Sequence, residues 1–406
     1  MASGIRTPAA PGFSSRQRLA FLVVAVLGHL VKHIFASGFY IVLPEIKTGL
    51  ELSNVQVGTM SMVRNIAGGL ANIPAGFLAD RYAHRREIIL GLTLLATGVF
   101  TLLLGLATNY WYAIIVSSIL IGIISFWHPA AIASLSSIFA ERRGFALSLH
   151  GTGASAGEAL GPVLVGALLG VLFWRTLLQG SIVPAFLVGI AVWLILRSLP
   201  RPEAASFTMR DYLASIGRLA GNRRLLLLLV IVGGFAGGGI VLVTFMPIYL
   251  REDQGLSSLT VGLYLASGQV AGIGAQPIMG YLSDRIGRKA VLAPAMTLLA
   301  LGYTALYFVP DGWPFVLVLV ASGAFVFSLM SIILAAAMDV VDESVRSITV
   351  SFMYASTVGF AGLAPAIGGF VADAHGTQTT FILAGATVGV GAVLAWVAPW
   401  QAPRET

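Results

Sequence analysis

Seven ionisable residues interrupt long apolar stretches of the chain, and their types suit anion binding and proton transfer. They are His29, Lys32, His33, Arg64, His128, His150 and Glu158. The first three are spaced by three and four residues, so a helix places them on one face. Ionisable residues at membrane depth are costly and usually face a cavity. We therefore expect an ionic binding site built mainly from this set.

Arginine and glutamate suggest how such a site works. The guanidinium of Arg64 is a planar fork suited to carboxylate, phosphate or phosphonate groups. Glu158 is a candidate counter-ion for Arg64 when the site is empty, and it would take up a proton on losing that cation. The histidines could pass the proton, because their pKa lies near neutral. The amides of Asn65 and Gln269 are further candidates for substrate contact.

Each of these residues also has a purely structural interpretation. Lys32 is close enough to the membrane surface to extend its amine there. Glu158 could form a structural ion pair with Arg64 or Lys32. The three deep histidines, His29, His128 and His150, could be hydrogen-bonded packing residues, and Asn65 could bond a neighbouring helix. The ionic residues concentrate in the first half of the chain, so ionic recognition is predicted there.

Several kinds of chemistry have no motif in the sequence. The chain has no cysteine and no Walker loop, G-x-S-x-G elbow or HExxH sequence. We therefore expect neither an enzyme nor a direct ATPase, and no cofactor or metal. The predicted energy source is an ion gradient or the gradient of the substrate itself.

The composition predicts a membrane as the solvent for the elements that position these residues. Hydrophobic residues make up 57% of the 406 residues and charged residues 10%, against about 25% charged in soluble domains. Twelve stretches approach the ~20 apolar residues that a spanning helix needs. These spans, numbered 1 to 12, are 19–43, 55–79, 88–107, 111–138, 144–171, 177–198, 225–250, 259–283, 290–309, 314–340, 345–371 and 378–400. The predicted fold class is an all-α membrane protein.

The distribution of basic residues predicts the orientation. With the N-terminus inside, 19 of the 24 lysines and arginines lie in the cytoplasmic segments and three in the opposite loops. Both termini are therefore expected in the cytoplasm of a bacterial cell, with the chain in the inner membrane. The formal charge of +7 is explained by this topology and not by nucleic-acid binding, and membrane lipid is an expected partner. The polar residues 1–18 form a tail, since the stretch after them is too long for a signal peptide.

The two halves of the sequence repeat. A shift of 204 residues places the end of span 2 on the end of span 8, including Asp80-Arg81 on Asp284-Arg285. We predict six-helix bundles at 19–198 and 225–400, a basic linker at 199–224 with a short amphipathic helix, and a tail at 401–406. Internal repeats around a central site are common in secondary transporters, and a monomer is expected.

Two related motifs follow spans 2 and 8. One is Gly76-Phe-Leu-Ala-Asp80-Arg81-Tyr-Ala-His-Arg85-Arg86, and the other is Gly280-Tyr-Leu-Ser-Asp284-Arg285-Ile-Gly-Arg288-Lys289. Both resemble the G-x-x-x-D-R-x-G-R-[RK] signature of the major facilitator superfamily, although Ala83 and His84 depart from it. The resemblance implies a cytoplasmic gate, with Asp80 near a helix N-terminus of the opposite half. It also implies ion pairs of Arg81 and Arg85 that form in one state and break in another.

Span 5 carries a stripe of small residues, Gly153, Gly157 and Gly161-Pro162, which predicts close helix packing. The stripe resembles the span-5 signature of facilitator antiporters. His128-Pro129-Ala-Ala and the run from Glu141 to Pro162, together with Gly28-His29, resemble the fosmidomycin-resistance-like branch.

Three functions remain open at this point. The leading prediction is a secondary transporter working by alternating access, a proton-coupled exporter of a drug or anionic metabolite. An importer or uniporter of a small organic anion is the alternative on the same fold. A transport-inactive membrane sensor is the third, and it would need a large loop or soluble extension to carry a signal.

Overall fold

The computed structural model describes residues 14–197, 219–341 and 361–399, together with the isolated positions 210, 214, 217, 349 and 353. These residues form fourteen α-helices. In the first half the helices are α1 (Ser15–Gly49), α2 (Asn54–Arg81), α3 (Arg86–Gly105), α4 (Tyr110–Ile124), α5 (Trp127–Ile138), α6 (Arg143–Leu169), α7 (Trp174–Gly180) and α8 (Ile182–Leu196). In the second half they are α9 (Arg223–Ile248), α10 (Ser258–Ile286), α11 (Arg288–Ala305), α12 (Trp313–Asp339), α13 (Ala364–His375) and α14 (Thr380–Val397).

The helices follow the predicted spans, with two breaks. Span 4 divides into α4 and α5, and span 6 into α7 and α8. A proline inside a helix clashes with the carbonyl four residues earlier. Pro129 and Pro184 lie four residues beyond Ser125 and Gly180, which are the points where the two spans break. The start of span 11, most of the predicted linker, residues 1–13 and the predicted tail at 401–406 lie outside the described residues. α1 begins at Ser15, so the last residues of the predicted tail 1–18 are helical.

Helix starts are set by local capping. Ser14 and Ser53 each cap their helix in a capping box with Gln17 and Gln56, and so begin α1 and α2. Eight segments of the described chain are long and apolar enough to cross a membrane by length and composition alone. α2 and α10 do not reach that apolarity, because they carry Arg64, Asn65 and Gln269 among many glycines. These two helices face protein on more than one side.

The two halves meet through two equivalent helix pairs, α6 with α10 and α2 with α13. Gly262 lies against the backbone of Pro162, and Gly369 lies against the backbone of Asn54 and Val55. A β-carbon at either glycine would overlap those atoms. Glycine is therefore required where the halves approach most closely.

Candidate functional site

A cavity of about 410 Å³ lies between the halves. Its wall from the first half comes from α1, α2, α4, α5 and α6, and its wall from the second half from α9 and α10. Seven of the predicted site residues line it: Lys32, His33, Arg64, Asn65, His128, Glu158 and Gln269. His29 and His150 lie behind the wall, both buried. The structure thus brings residues from five helices to one polar surface.

The α1 wall continues beyond the residues singled out in the sequence. Ser37 and Tyr40 follow His33 at spacings of four and three, and both line the cavity. Sequence reasoning missed them because neither carries a charge. The helical spacing from His33 was the available signal, since it places all three side chains on one face.

Arg64 is buried, with 1% of its surface exposed. Its guanidinium carbon lies 3.7 Å from the centre of the Phe39 ring and 5.3 Å from the centre of the Tyr40 ring. Nε and Nη2 have no hydrogen-bond partner among the described atoms. A buried cation with unmade hydrogen bonds is unfavourable, so Arg64 has unused capacity to bind an anion.

Glu158 pairs with His33 and not with Arg64. Its Oε1 atom lies 3.0 Å from Nδ1 of His33. The expected pairing of Glu158 with Arg64 in the empty site is therefore absent from this structure. The reason is geometric: α1 packs directly against α6 along the glycine stripe, which places His33 beside Glu158.

The stripe itself faces α1. A β-carbon at Gly157 would overlap the Leu30 carbonyl and lie 2.7 Å from Cβ of His33. Gly153 contacts Val26 in the same way, and Gly161 contacts Ser37 and Ile34. Close packing of α1 on α6 therefore fixes the position of the His33 β-carbon relative to α6.

A network of histidines surrounds Lys32. Lys32 Nζ lies 2.5 Å from His128 Nε2 and 3.3 Å from His33 Nε2. His33 Nε2 is 3.1 Å from His29 Nε2, and His29 Nδ1 is 2.8 Å from the carbonyl oxygen of His150. The His29 and His150 rings stack with centroids 3.8 Å apart.

The donors and acceptors of this network allow two arrangements of its protons. The carbonyl of His150 can only accept, so His29 Nδ1 donates and its Nε2 is a lone pair when the ring is neutral. In one arrangement His33 Nε2 donates to His29, and His33 Nδ1 and the Glu158 carboxylate share a proton across 3.0 Å, which is one proton more than neutral histidines with an ionised Glu158. In the other arrangement Lys32 donates to the lone pair of His33 Nε2, and His33 Nδ1 donates to the Glu158 carboxylate without an additional proton.

Three of these residues also have a spacing that suits a metal ion. One ring nitrogen each of His29, His33 and His128 lies within 4.8 Å of the other two. Lys32 Nζ, however, contacts His33 and His128 and already places an ammonium beside those nitrogens. A metal ion there would be repelled, so the arrangement disfavours a metal while Lys32 is charged.

The signature segments make contacts within their own halves. The Asp80 carboxylate pairs with Arg86 Nη2 at 3.6 Å, and Arg81 and Arg85 are exposed. Arg288 pairs with Asp284 and lies 3.1 Å from Asp339, whereas Arg285 lies over the Tyr281 ring. Gly76 is buried, but a β-carbon at Gly280 would meet no described atom within 4 Å. The expected position of Asp80 near a helix N-terminus of the opposite half stays a prediction, and the start of span 11 lies outside the described residues.

Hydrogen bonds and ion pairs between the halves lie on the opposite side from these segments, as far as the described chain shows. Arg251 Nε is 3.0 Å from Glu45 Oε1, and Lys47 pairs with Glu252. The backbone amides of Asn54 and Val55 donate to the Asp373 carboxylate, each at 3.0 Å. A carboxylate at a helix N-terminus is favourable, so Asp373 of α13 stabilises the contact between the second half and the start of α2. The site is closed on this side.

Membrane-spanning helices in two repeated halves, with a polar cavity between them, define the class as a membrane transporter. The chain belongs to the Major Facilitator Superfamily, whose model matches residues 25–277 and 241–406. The predicted superfamily, its twelve-helix, two-repeat fold and the absence of enzyme activity are thereby confirmed. The function at this level is transport.

Individual relatives are distant. The chain is 24% identical over 377 residues to the fosmidomycin resistance protein of Escherichia coli K12, covering 90% of this chain and 89% of that protein. It is 25% identical over 359 residues to the multidrug resistance protein MdtG of Salmonella paratyphi C, covering 86% of each. A bacterial homologue of the human lysosomal transporter Spinster, solved inward-facing and unoccupied, superposes with a TM-score of 0.82 at 16% identity, over 97% of this chain and 100% of that one.

Proposed function

We propose that this chain is a proton-coupled exporter of a small organic anion, in the bacterial inner membrane with both termini cytoplasmic. The observation that carries the proposal is Arg64, a buried cation on the cavity wall whose Nε and Nη2 atoms lack partners. A carboxylate, phosphate or phosphonate would satisfy both atoms at once. Asn65 and Gln269 supply amides on the same cavity wall.

Orientation and relatives support export. The closed side carries the loops at 50–53 and 254–257, which the distribution of basic residues assigns to the outside. The cavity then faces the cytoplasm, where an exporter takes up its substrate. Two relatives are named for resistance to fosmidomycin and to multiple drugs, and resistance by transport requires removal of the compound from the cell.

The proton site in this proposal is the His33–Glu158 pair. Glu158 lines the same cavity as Arg64, so substrate and proton are bound close together. Export driven by inward proton flow requires that the two exclude each other. A substrate that occupies the cavity beside Glu158 and breaks its 3.0 Å contact with His33 would release the shared proton. After the substrate leaves, the His33–Glu158 pair would bind a proton from the outside again.

The charges in the cavity favour a second candidate, uptake of the anion together with a proton. A bound anion and an ionised Glu158 repel each other in a medium of low dielectric constant. If the His33–Glu158 contact stays intact, anion binding strengthens proton binding there. Anion and proton would then travel in the same direction, and an inward proton gradient would drive import.

The sign of proton linkage separates the two candidates. Purified protein in nanodiscs is titrated with short alkyl phosphonates and carboxylates in weakly buffered solution containing a pH indicator. Proton release on binding supports exchange and export, whereas proton uptake supports co-transport. Glu158→Gln is expected to retain anion binding and to abolish the proton signal of either sign.

The anion site is tested in the same titration. Arg64→Ala is expected to weaken phosphonate binding at least tenfold, about 1.4 kcal/mol, because a charge-assisted bidentate contact is lost. Arg197→Ala is the matched control, since Arg197 lies over the Trp193 ring and does not line the cavity. Unchanged affinity in Arg64→Ala would overturn the anion site.

A further inference from the structure

A second cavity, of about 270 Å³, lies within the second half of the molecule. Its lining is apolar and aromatic, including Phe235, Met246, Leu319 and Val326. Tyr264, Gln269, Tyr303 and Ser322 supply its polar side chains, and no charged residue of the described chain lines it. This cavity is here called the apolar pocket, and the cavity at Arg64 the ionic pocket.

The apolar pocket adjoins the ionic pocket. Four residues line both: Ile240, Val243, Leu265 and Gln269. A ligand held at Arg64 in the first half therefore has an apolar surface beside it in the second half. The polarity changes from one side of the site to the other, across the boundary between the halves.

The two pockets are lined by residues at equivalent positions of the two sequence repeats. Pro44 of α1 and Pro247 of α9 correspond at an offset of 203, and the same offset places Lys32 and His33 on Phe235 and Ala236. At the offset of 204 that aligns α2 with α10, Arg64 falls on Gly268. Positions that form the ionic pocket in one repeat thus line the apolar pocket in the other.

We propose that the substrate is an amphipathic anion, whose charged group lies at Arg64 and whose hydrophobic part fills the apolar pocket. This inference rests on the proposed anion site. Apolar ligand atoms that fill this pocket leave water together with the apolar side chains that line it, which is favourable. The anion alone would satisfy Arg64 and leave the apolar pocket unused.

The dependence of ligand affinity on alkyl chain length tests this proposal. A series of n-alkyl phosphonates from methyl to octyl, kept below micellar concentration, is titrated onto the protein in nanodiscs. Affinity is expected to rise about two- to fourfold per methylene and to level off once the pocket is filled. The matching n-alkyl alcohols are expected to bind at least tenfold more weakly, because they lack the charge.

A variant that fills the pocket isolates its contribution. Gly239 lines the apolar pocket, and a β-carbon there meets no described atom within 4 Å, so the side chain of Gly239→Leu begins in open space. It is expected to remove most of the chain-length gain and to leave methylphosphonate affinity within twofold. Gly274→Leu is the matched control on α10, because Gly274 is also open and lines neither pocket.

The outcomes distinguish the two proposals. If chain length has no effect in the unmodified protein, or if its effect survives Gly239→Leu, the amphipathic substrate is overturned while the anion site stands on Arg64→Ala. If alcohols and phosphonates of equal length bind equally and Arg64→Ala changes neither, the anion site fails, and this inference fails with it.

Discussion

Single residues decide where the charges of the site lie. Arg64 is held by aromatic rings and not by a carboxylate, and Glu158 is held by a histidine. The sequence identified both as deep ionisable residues, because the free-energy cost of a side chain at membrane depth depends on its residue type. It did not identify their partners, because a side-chain contact depends on how two helices are rotated against each other. Tyr40 and Phe39 gave no charge signal and were missed for that reason.

One residue-scale prediction concerns the glycine that sets the His33–Glu158 contact. Gly157→Ala places a methyl group against the Leu30 carbonyl and the His33 Cβ, so α1 must move away from α6. We expect a loss of about 1–3 kcal/mol in stability, as for other overpacked sites, measured as a lower thermal unfolding temperature in detergent. Gly151→Ala on the same helix is the control, since its β-carbon meets no described atom within 4 Å. Equal stability of the two variants would contradict the close packing.

Helices are the scale at which the sequence was most informative. Apolar length and the repeat were sufficient to place the spans, because each helix satisfies its own backbone hydrogen bonds in lipid. Apolar length did not indicate the breaks in spans 4 and 6, for which Pro129 and Pro184 were the available signal. Pairing of α6 with α10 and of α2 with α13 was not predictable from periodicity, because both faces of these helices are rich in small residues.

Asp373 provides the element-scale prediction. Its carboxylate accepts from both backbone amides at the start of α2, and Asp373→Asn removes the charge that favours that helix end. The interaction is worth about 0.3–2 kcal/mol, so the state open on this side should become up to about 30-fold more populated. The native chain has no cysteine, so Ala36→Cys in the ionic pocket reports the opening by faster maleimide labelling from outside. Asp311→Asn is the control, because Asp311 bonds Tyr249 of its own half; equal labelling rates would show that Asp373 does not hold the closed state.

The whole molecule combines an orientation predicted from charge with a closure seen in the structure. Ion pairs and hydrogen bonds between the described parts of the halves lie near 45–61 and 244–258, with Asp373 on the same side. The basic signature segments lie at the other end of α2 and α10. If basic loops are cytoplasmic, the ionic pocket opens to the cytoplasm in this state. The orientation follows from charge and the closed side from contacts between the halves, so each can be tested without the other.

Single cysteines test the orientation and the state together. Thr108 and Glu141 are exposed at opposite ends of span 4. An impermeant maleimide applied to intact cells should label Thr108→Cys and should reach Glu141→Cys only after the cells are opened. In inside-out vesicles, Ala36→Cys should be labelled at least several-fold faster than in intact cells, because the closed contacts lie on the outer side. Labelling of Glu141→Cys in intact cells would reverse the orientation. Fast labelling of Ala36→Cys from outside, with the Thr108 and Glu141 results as expected, would instead mean that the outward-open state predominates in the membrane.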